Sequence, residues 1–173
     1  MKTAGIQFGV EQGTEEGLLR LKKDVTAKDI DHAFAITRKV GIETVAYFLI
    51  GTPTERTRQD VVDTIDYSIR LKPDYVMFNV LTPFPGTTLF DEGERDGVLD
   101  PRPWRAFMRQ PSQEFRAQPW DEHFDQDELR DLLQLAYKRF YGRPSDLARQ
   151  LSQIRNPREL ARKARAGLRV LAG

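Results

Sequence analysis

The chain has 173 residues, of which 39% are hydrophobic and 31% are charged, with a formal net charge of +1. This composition is typical of a soluble globular protein, and the length suits one domain with a substantial core. No apolar run approaches the ~20 residues of a membrane-spanning helix, and the first residues lack a secretory signal, so we expect cytoplasmic localisation. The absence of cysteine excludes disulfides, zinc–thiolate sites and iron–sulfur ligation by this chain's own thiolates.

Strand-like and helix-like segments alternate over the first hundred residues. Strands are predicted where β-branched and aromatic residues cluster, and helices where apolar residues recur every three or four positions. The predicted segments are a strand at 5–10, helices at 15–21 and 26–40, a strand at 43–50, a helix at 57–71 and a strand at 75–81. Strands alternating with helices imply a parallel sheet with right-handed crossovers, either doubly wound or part of a barrel.

The rest of the chain has a different pattern. Residues 99–124 carry four prolines and several aromatic residues, which predict an ordered connector made of short pieces. A helix is predicted at 124–141, followed by two more at 145–153 and 158–171. Residues 138–173 hold ten basic and two acidic side chains, a balance of 10 − 2 = +8. These basic helices could make peripheral contact with an anionic membrane, although docking onto the chain's own domain is the favoured interpretation.

Each predicted strand ends in an unusual motif, and the carboxyl ends of parallel strands are where such sheets bind ligands. After the first strand, Glu11 could accept hydrogen bonds from ribose hydroxyls or an ammonium group, or form an ion pair with Lys22 or Lys23. After the second, Gly51 and Pro53 could shape a loop around a purine, and Glu55 could accept from an exocyclic amine or cap the next helix. The PFPGT loop after the third strand is rigid, as either a ligand loop or a structural one.

Other catalytic signatures are absent from the sequence. The two histidines, His32 and His123, are not at metal-ligand spacing, and neither belongs to a nucleophile-elbow pattern. No G-x-x-x-x-G-K-[ST] phosphate loop occurs. Hydrolase and nucleoside-triphosphatase functions are therefore disfavoured.

The ordered motifs GIQFGVEQGTEEGLLRLKKDVT, AYFLIGTPTERT and VLTPFPGTTLF together resemble the later half of the radical S-adenosylmethionine (SAM) enzyme domain. The ending LQLAYKRFYGRPSDLARQL looks like the branch of that family that carries a cobalamin-binding domain. The resemblance implies a partial (β/α) barrel built from the last three βα units of a six-stranded barrel, followed by a helical C-terminal extension. The expected division is a partial barrel at 1–98, the connector at 99–124 and the extension at 125–173.

The resemblance also implies a SAM site at the strand ends. Ten residues of this sequence match positions of the family that contact or border SAM: Glu11, Gln12, Lys23, Gly51, Pro53, Glu55, Pro83, Pro85, Gly86 and Thr87. Glu11 and Gln12 would meet the ribose and methionine parts, and Lys23 the carboxylate. The loop from Gly51 would lie along the adenine, while Pro83 begins the loop that borders SAM and substrate.

One departure from the family is large. Its [4Fe-4S] cluster needs a C-x-x-x-C-x-x-C motif, and this chain has no cysteine, so the cluster and cobalamin would belong only to the full-length family. We therefore expect the C-terminal part of a radical SAM enzyme, inactive alone, whose parent reaction is hydrogen abstraction or methyl transfer. The alternatives are a non-catalytic subunit that completes a split barrel with a cysteine-bearing partner, and a small nucleoside- or SAM-binding protein. The expected partners are the N-terminal radical SAM half or a cobalamin domain, and no nucleic acid is predicted.

Overall fold

The computed structural model describes residues 5–144, which form a three-stranded sheet and six helices. The strands are β1 (Gly5–Glu11), β2 (Glu43–Ile50) and β3 (Tyr75–Val80). The helices are α1 (Glu15–Arg20), α2 (Ala27–Lys39), α3 (Arg58–Leu71), α4 (Thr88–Asp96), α5 (Arg102–Arg109) and α6 (Gln126–Tyr141). All strands are parallel in the order β1-β2-β3, so the loops that follow them lie at one edge of the sheet.

The longer helices begin at capping boxes. In each box, the side chain of the capping residue accepts from a backbone amide three residues later, and the acidic side chain of that later residue accepts from the amide of the capping residue. Thr26 caps α2 with Asp29, as expected for a threonine that an acidic residue follows three positions later, and Thr57 caps α3 with Asp60 in the same way. Asp125 caps α6 by accepting from two amides of its first turn. Helix α3 ends at Lys72, which adopts a left-handed conformation with φ of 55°.

The main core lies between the sheet and helices α2, α3 and α6. Alternate residues of β2 are buried on the helix-covered face, including Phe48, which is completely buried. Phe34 of α2, Ile65 of α3 and Leu132 of α6 belong to the same core. The opposite face of β2 is only half-buried, so the sheet has one helix-covered face and one open face.

Helix α6 also covers the outer edge of β3. The Tyr137 hydroxyl accepts from the amide of Phe78 at 3.2 Å and lies 3.1 Å from its carbonyl oxygen. The Tyr141 hydroxyl bonds the amide of Val76 at 3.0 Å and its carbonyl at 2.9 Å. These hydroxyls occupy backbone groups that would otherwise be free to pair with another strand.

The prediction of a partial (β/α) barrel is wrong. The described residues form a small open parallel sheet with six helices, an arrangement consistent with a Rossmann-like fold. Alternating strands and helices are common to barrels and open sheets, so this pattern alone does not determine closure. The tyrosines of α6 close the β3 edge with side chains, where a closed barrel would continue with a strand.

The connector and the helix at 26–40 differ in detail from the sequence prediction. The connector contains one helix of eight residues, α5, that the proline-rich sequence did not predict. Apolar spacing in the sequence predicts that Val40 lies on the buried face of the helix at 26–40, but Val40 is 61% exposed. The two closing helices and their membrane contact fall outside the described residues, and the three-part domain division stays a prediction. Within residues 5–144, no helix has both the length and the apolarity needed to cross a bilayer.

Candidate functional site

A buried polar network lies at the carboxyl edge of the sheet, between the ends of β1 and β2 and helix α3. The Gln12 amide nitrogen donates to the Thr52 hydroxyl at 3.1 Å and to the Leu49 carbonyl at 3.2 Å. The Thr64 hydroxyl donates to Glu55 Oε1 at 2.8 Å, and the Thr52 amide donates to Glu55 Oε2 at 3.1 Å. All four of these side chains belong to residues no more than 2% exposed, so the network is internal to the protein.

Burial has an electrostatic consequence for Glu55. Removal from water raises the pKa of its carboxyl group, although hydrogen bonds from Thr52, Thr64 and Gln12 partly offset this effect. No cationic side chain of the described residues forms an ion pair with Glu55. The carboxyl group therefore holds the loop after β2 through hydrogen bonds and does not face the solvent.

Gly51 is buried against α6. Its φ of 69° is left-handed, and a Cβ atom added there would lie 2.5 Å from Cδ2 of Leu129. The missing side chain thus makes room for a leucine of α6. In this structure, the close approach to Gly51 is made by the protein itself.

Glu11 and Lys23 lie on the open face of the sheet. Glu11 ends β1 at a register shift with φ of 68°, and Lys23 Nζ lies 3.4 Å from its Oε1 atom. A Cβ on Gly9 would come within 2.6 Å of that oxygen, so this glycine leaves space for the Glu11 carboxylate of the same strand. Both charged side chains are partly accessible, with 24% of Glu11 and 33% of Lys23 exposed. This pair can therefore reach a ligand, unlike Gln12 and Glu55.

The PFPGT loop after β3 forms one wall of a cleft of about 320 Å³. Pro83 and Thr87 line this cleft, opposite the segment from Arg20 to Lys22 at the end of α1. Thr87 also caps α4 by accepting from the amide of Phe90. The cleft size lies at the lower end of the ~300–1,000 Å³ range of ligand pockets.

The other predicted residues of these two loops, Gly86, Pro85 and Pro53, are exposed or half-buried. Gly86 has φ of 87° and open space around the position of a Cβ atom, so its conformation reflects the turn and not a close neighbour. Pro85 and Pro53 are half-buried. No described hydrogen bond involves either side chain, as expected for proline.

The structure therefore divides the ten predicted residues into groups. Gln12 and Glu55 meet in the buried network, Glu11 and Lys23 form the open-face pair, and the others shape loops. The sequence prediction missed Thr64, a network member whose signal was a polar residue on the apolar face of α3, between Val61 and Ile65. It also missed Thr52, which binds both Gln12 and Glu55.

Comparisons with known proteins place the chain beside archaeal sequences. It is 30% identical over 155 residues to an uncharacterized methyltransferase of Pyrococcus horikoshii, an alignment covering 87% of this chain and 32% of that protein. It is also 30% identical over 92 residues to an uncharacterized protein of Methanocaldococcus jannaschii, covering 50% of this chain and 20% of that protein. The chain thus spans about a third or less of the length of these relatives. No protein-family model matches it.

These comparisons contradict the assignment to the radical SAM enzymes. No radical SAM family model matches, and the relative aligned over most of the chain is named as a methyltransferase. The expected [4Fe-4S] and cobalamin cofactors, and the placement in the cobalamin-binding branch, depended on that family assignment. They are therefore unsupported as well. The structure offers a physical reason for the misleading motifs: Gly51 accommodates Leu129 and Glu55 binds Thr64, so internal packing accounts for both residues.

Proposed function

We propose that this chain provides part of the SAM-binding region of a methyltransferase. The observation that carries the proposal is the alignment of 87% of the chain with a protein named as a methyltransferase. The parallel sheet supports it, because ligands of such sheets bind at the carboxyl ends of the strands. When bound, SAM supplies an activated methyl group on a positively charged sulfur.

The open-face pair has a donor set that suits such a ligand. The Glu11 carboxylate can accept hydrogen bonds from ribose hydroxyls or an ammonium group, and the Lys23 ammonium can bind a carboxylate. Both groups are partly exposed and lie 3.4 Å apart, so each can exchange its partner for a ligand group without unfolding a segment. Exposed ion pairs of this kind contribute only about 0–1 kcal/mol, so the exchange costs little.

The buried network has a supporting role in this proposal. Gln12 and Glu55 do not touch the ligand but hold the loops after β1 and β2 in fixed positions relative to α3. Preorganised loops lower the cost of ordering on binding. The PFPGT loop follows β3 at the same edge of the sheet, and its residues Pro83 and Thr87 line the neighbouring cleft of about 320 Å³.

Calorimetric titration with S-adenosylhomocysteine tests the proposal. We expect saturable binding by the whole chain, and a loss of affinity of about ten-fold for Glu11→Gln or Lys23→Met, because each removes a charge-assisted hydrogen bond. Glu16→Gln is the control, since Glu16 forms only an exposed pair with Arg56 at 3.6 Å. Absence of binding, or an equal loss in the control, would contradict the proposal.

We also propose that the outer edge of β1 binds a partner strand. The β3 edge is occupied by the tyrosines of α6, whereas β1 is paired only with β2 in the described part of the chain. Unpaired strand edges are sites of strand addition. The proposal predicts slower amide exchange across residues 5–11 in protein isolated from its native source than in the chain expressed alone, and identical exchange would contradict it.

A further inference from the structure

The cleft between α1 and the PFPGT loop is not accounted for by the open-face pair. Its volume is about 320 Å³, enough for a small organic molecule. Leu21, Leu81 and Leu89 give it an apolar floor, and Phe84, which is 58% exposed, stands at its rim. Phe84 packs against Trp104 at a ring-centroid distance of 5.3 Å, so its ring is supported from behind.

Two cationic residues, Arg20 and Lys22, line the same cleft, and they differ in whether an acidic side chain of the described residues balances their charge. Arg20 donates to Glu92 at 2.6 Å, and this ion pair balances its charge. Lys22 is exposed, and no carboxylate of the described residues lies within ion-pair distance of its amine. An apolar cleft with one unbalanced positive charge is complementary to an apolar molecule that carries one negative charge.

The backbone at Lys22 is also unusual. Its φ is 54°, a left-handed conformation at the end of α1 where glycine is normally favoured. The fold therefore places a lysine where a side chain is disfavoured, and this lysine lines the cleft. Strained positions of this kind are often found at functional sites.

From these observations, we propose that the cleft binds a small planar or apolar carboxylate, with Lys22 facing the anionic group and Phe84 facing the apolar body. Lys22 precedes Lys23 of the open-face pair, so the cleft adjoins the proposed cofactor region. In the proposed methyltransferase this carboxylate would be the methyl acceptor, and that role rests on the proposed function. Binding of the carboxylate to the cleft does not depend on the proposed function.

The test compares two probes of equal shape, indole-3-acetate and indole-3-acetamide, by titration of the whole chain. We expect the carboxylate to bind about two- to five-fold more tightly than the neutral amide, the range expected for a partly exposed ion pair. Lys22→Gly should abolish this preference while the melting temperature stays at or above that of the unmodified protein, because glycine accepts the left-handed backbone. Phe84→Ala should weaken both probes.

Lys72→Gly is the matched control. Lys72 is likewise an exposed lysine in a left-handed conformation at a helix end, with φ of 55°, but it precedes β3 at the opposite edge of the sheet. This variant should keep the preference for the carboxylate. Equal binding of the two probes, no binding of either near 1 mM (about −4 kcal/mol), or a preference that survives Lys22→Gly would overturn the proposal.

A parallel titration with S-adenosylhomocysteine separates the two proposals. If both ligands bind together, the cleft and the cofactor site are distinct, as expected. If S-adenosylhomocysteine displaces indole-3-acetate, the acceptor assignment is overturned. If indole-3-acetate binds through Lys22 but S-adenosylhomocysteine does not bind at all, the proposed function fails and the anion site stands.

Discussion

Thr64→Val is the most informative perturbation of the buried network. The substitution keeps the shape of the side chain and removes the hydroxyl that donates to Glu55 Oε1 at 2.8 Å. Both residues are buried, so water does not replace the lost bond. A hydrogen bond to a charged group contributes about 1.5–3 kcal/mol, and we therefore expect the free energy of unfolding to fall by about 2 kcal/mol at pH 8.

The loss should depend on pH. Burial raises the pKa of Glu55, so the folded protein binds a proton at a pH where the unfolded chain has already released it. This group therefore contributes stability that increases as pH falls through the folded pKa and decreases as pH rises through it. In Thr64→Val the ionised carboxylate is less well satisfied, so the destabilisation should be larger at pH 8 than at pH 5.

Urea denaturation at pH 8 and pH 5, followed by tryptophan fluorescence, measures both effects. Thr37→Val is the matched control, because the Thr37 hydroxyl donates only to backbone carbonyls of its own helix, at 2.9 Å and 3.1 Å. Its cost should be about 1 kcal/mol and independent of pH. The reasoning is refuted if Thr64→Val costs no more than the control, or if its cost is the same at both pH values.

Three further predictions concern the same elements. Glu55→Gln should abolish the part of the pH dependence of stability that Glu55 contributes, because the amide can accept from Thr52 and donate to Thr64 without a charge; an unchanged pH profile would exclude this account. Gly51→Ala should lower the free energy of unfolding by about 2–4 kcal/mol, because the new Cβ atom meets Leu129. Gly86→Ala, whose Cβ atom lies in open space, should lower it by only about 1 kcal/mol. Equal losses of unfolding free energy in urea denaturation would contradict the packing argument. Tyr137→Phe should cost about 1 kcal/mol and speed amide exchange at Phe78, and unchanged exchange would show that the hydroxyl does not protect the β3 edge.

Local signals in the sequence account for most of the elements. The apolar run of β2 and the spacing of Thr26 and Asp29 identify segments whose bounds agree with the structure to within a few residues. These local signals do not determine whether the sheet is open or closed, because the same alternation of strands and helices occurs in barrels and in open sheets. The β3 edge is covered by Tyr137, which lies 59 residues along the chain from its partner Phe78. Local sequence patterns do not reveal a contact over that separation.

The candidate site shows the same limit. Strand ends correctly indicate which loops share an edge, but they do not reveal which side chains point into the core. Glu55 and Gln12 look like ligand-binding residues in the sequence, and tertiary contacts with Thr64 make them internal. The ion pair of Glu11 with Lys23 was foreseen as the simpler alternative to a ligand contact.

Amide chemical-shift mapping with S-adenosylhomocysteine tests the central claim most directly, because it shows both whether the ligand binds and where. The account predicts saturable shifts confined to the open face and carboxyl edge of the sheet, centred on Gly9, Glu11 and Lys23. It also predicts that Glu11→Gln weakens these shifts while Glu16→Gln does not. No shifts, or shifts centred on the helix-covered face, would contradict the account.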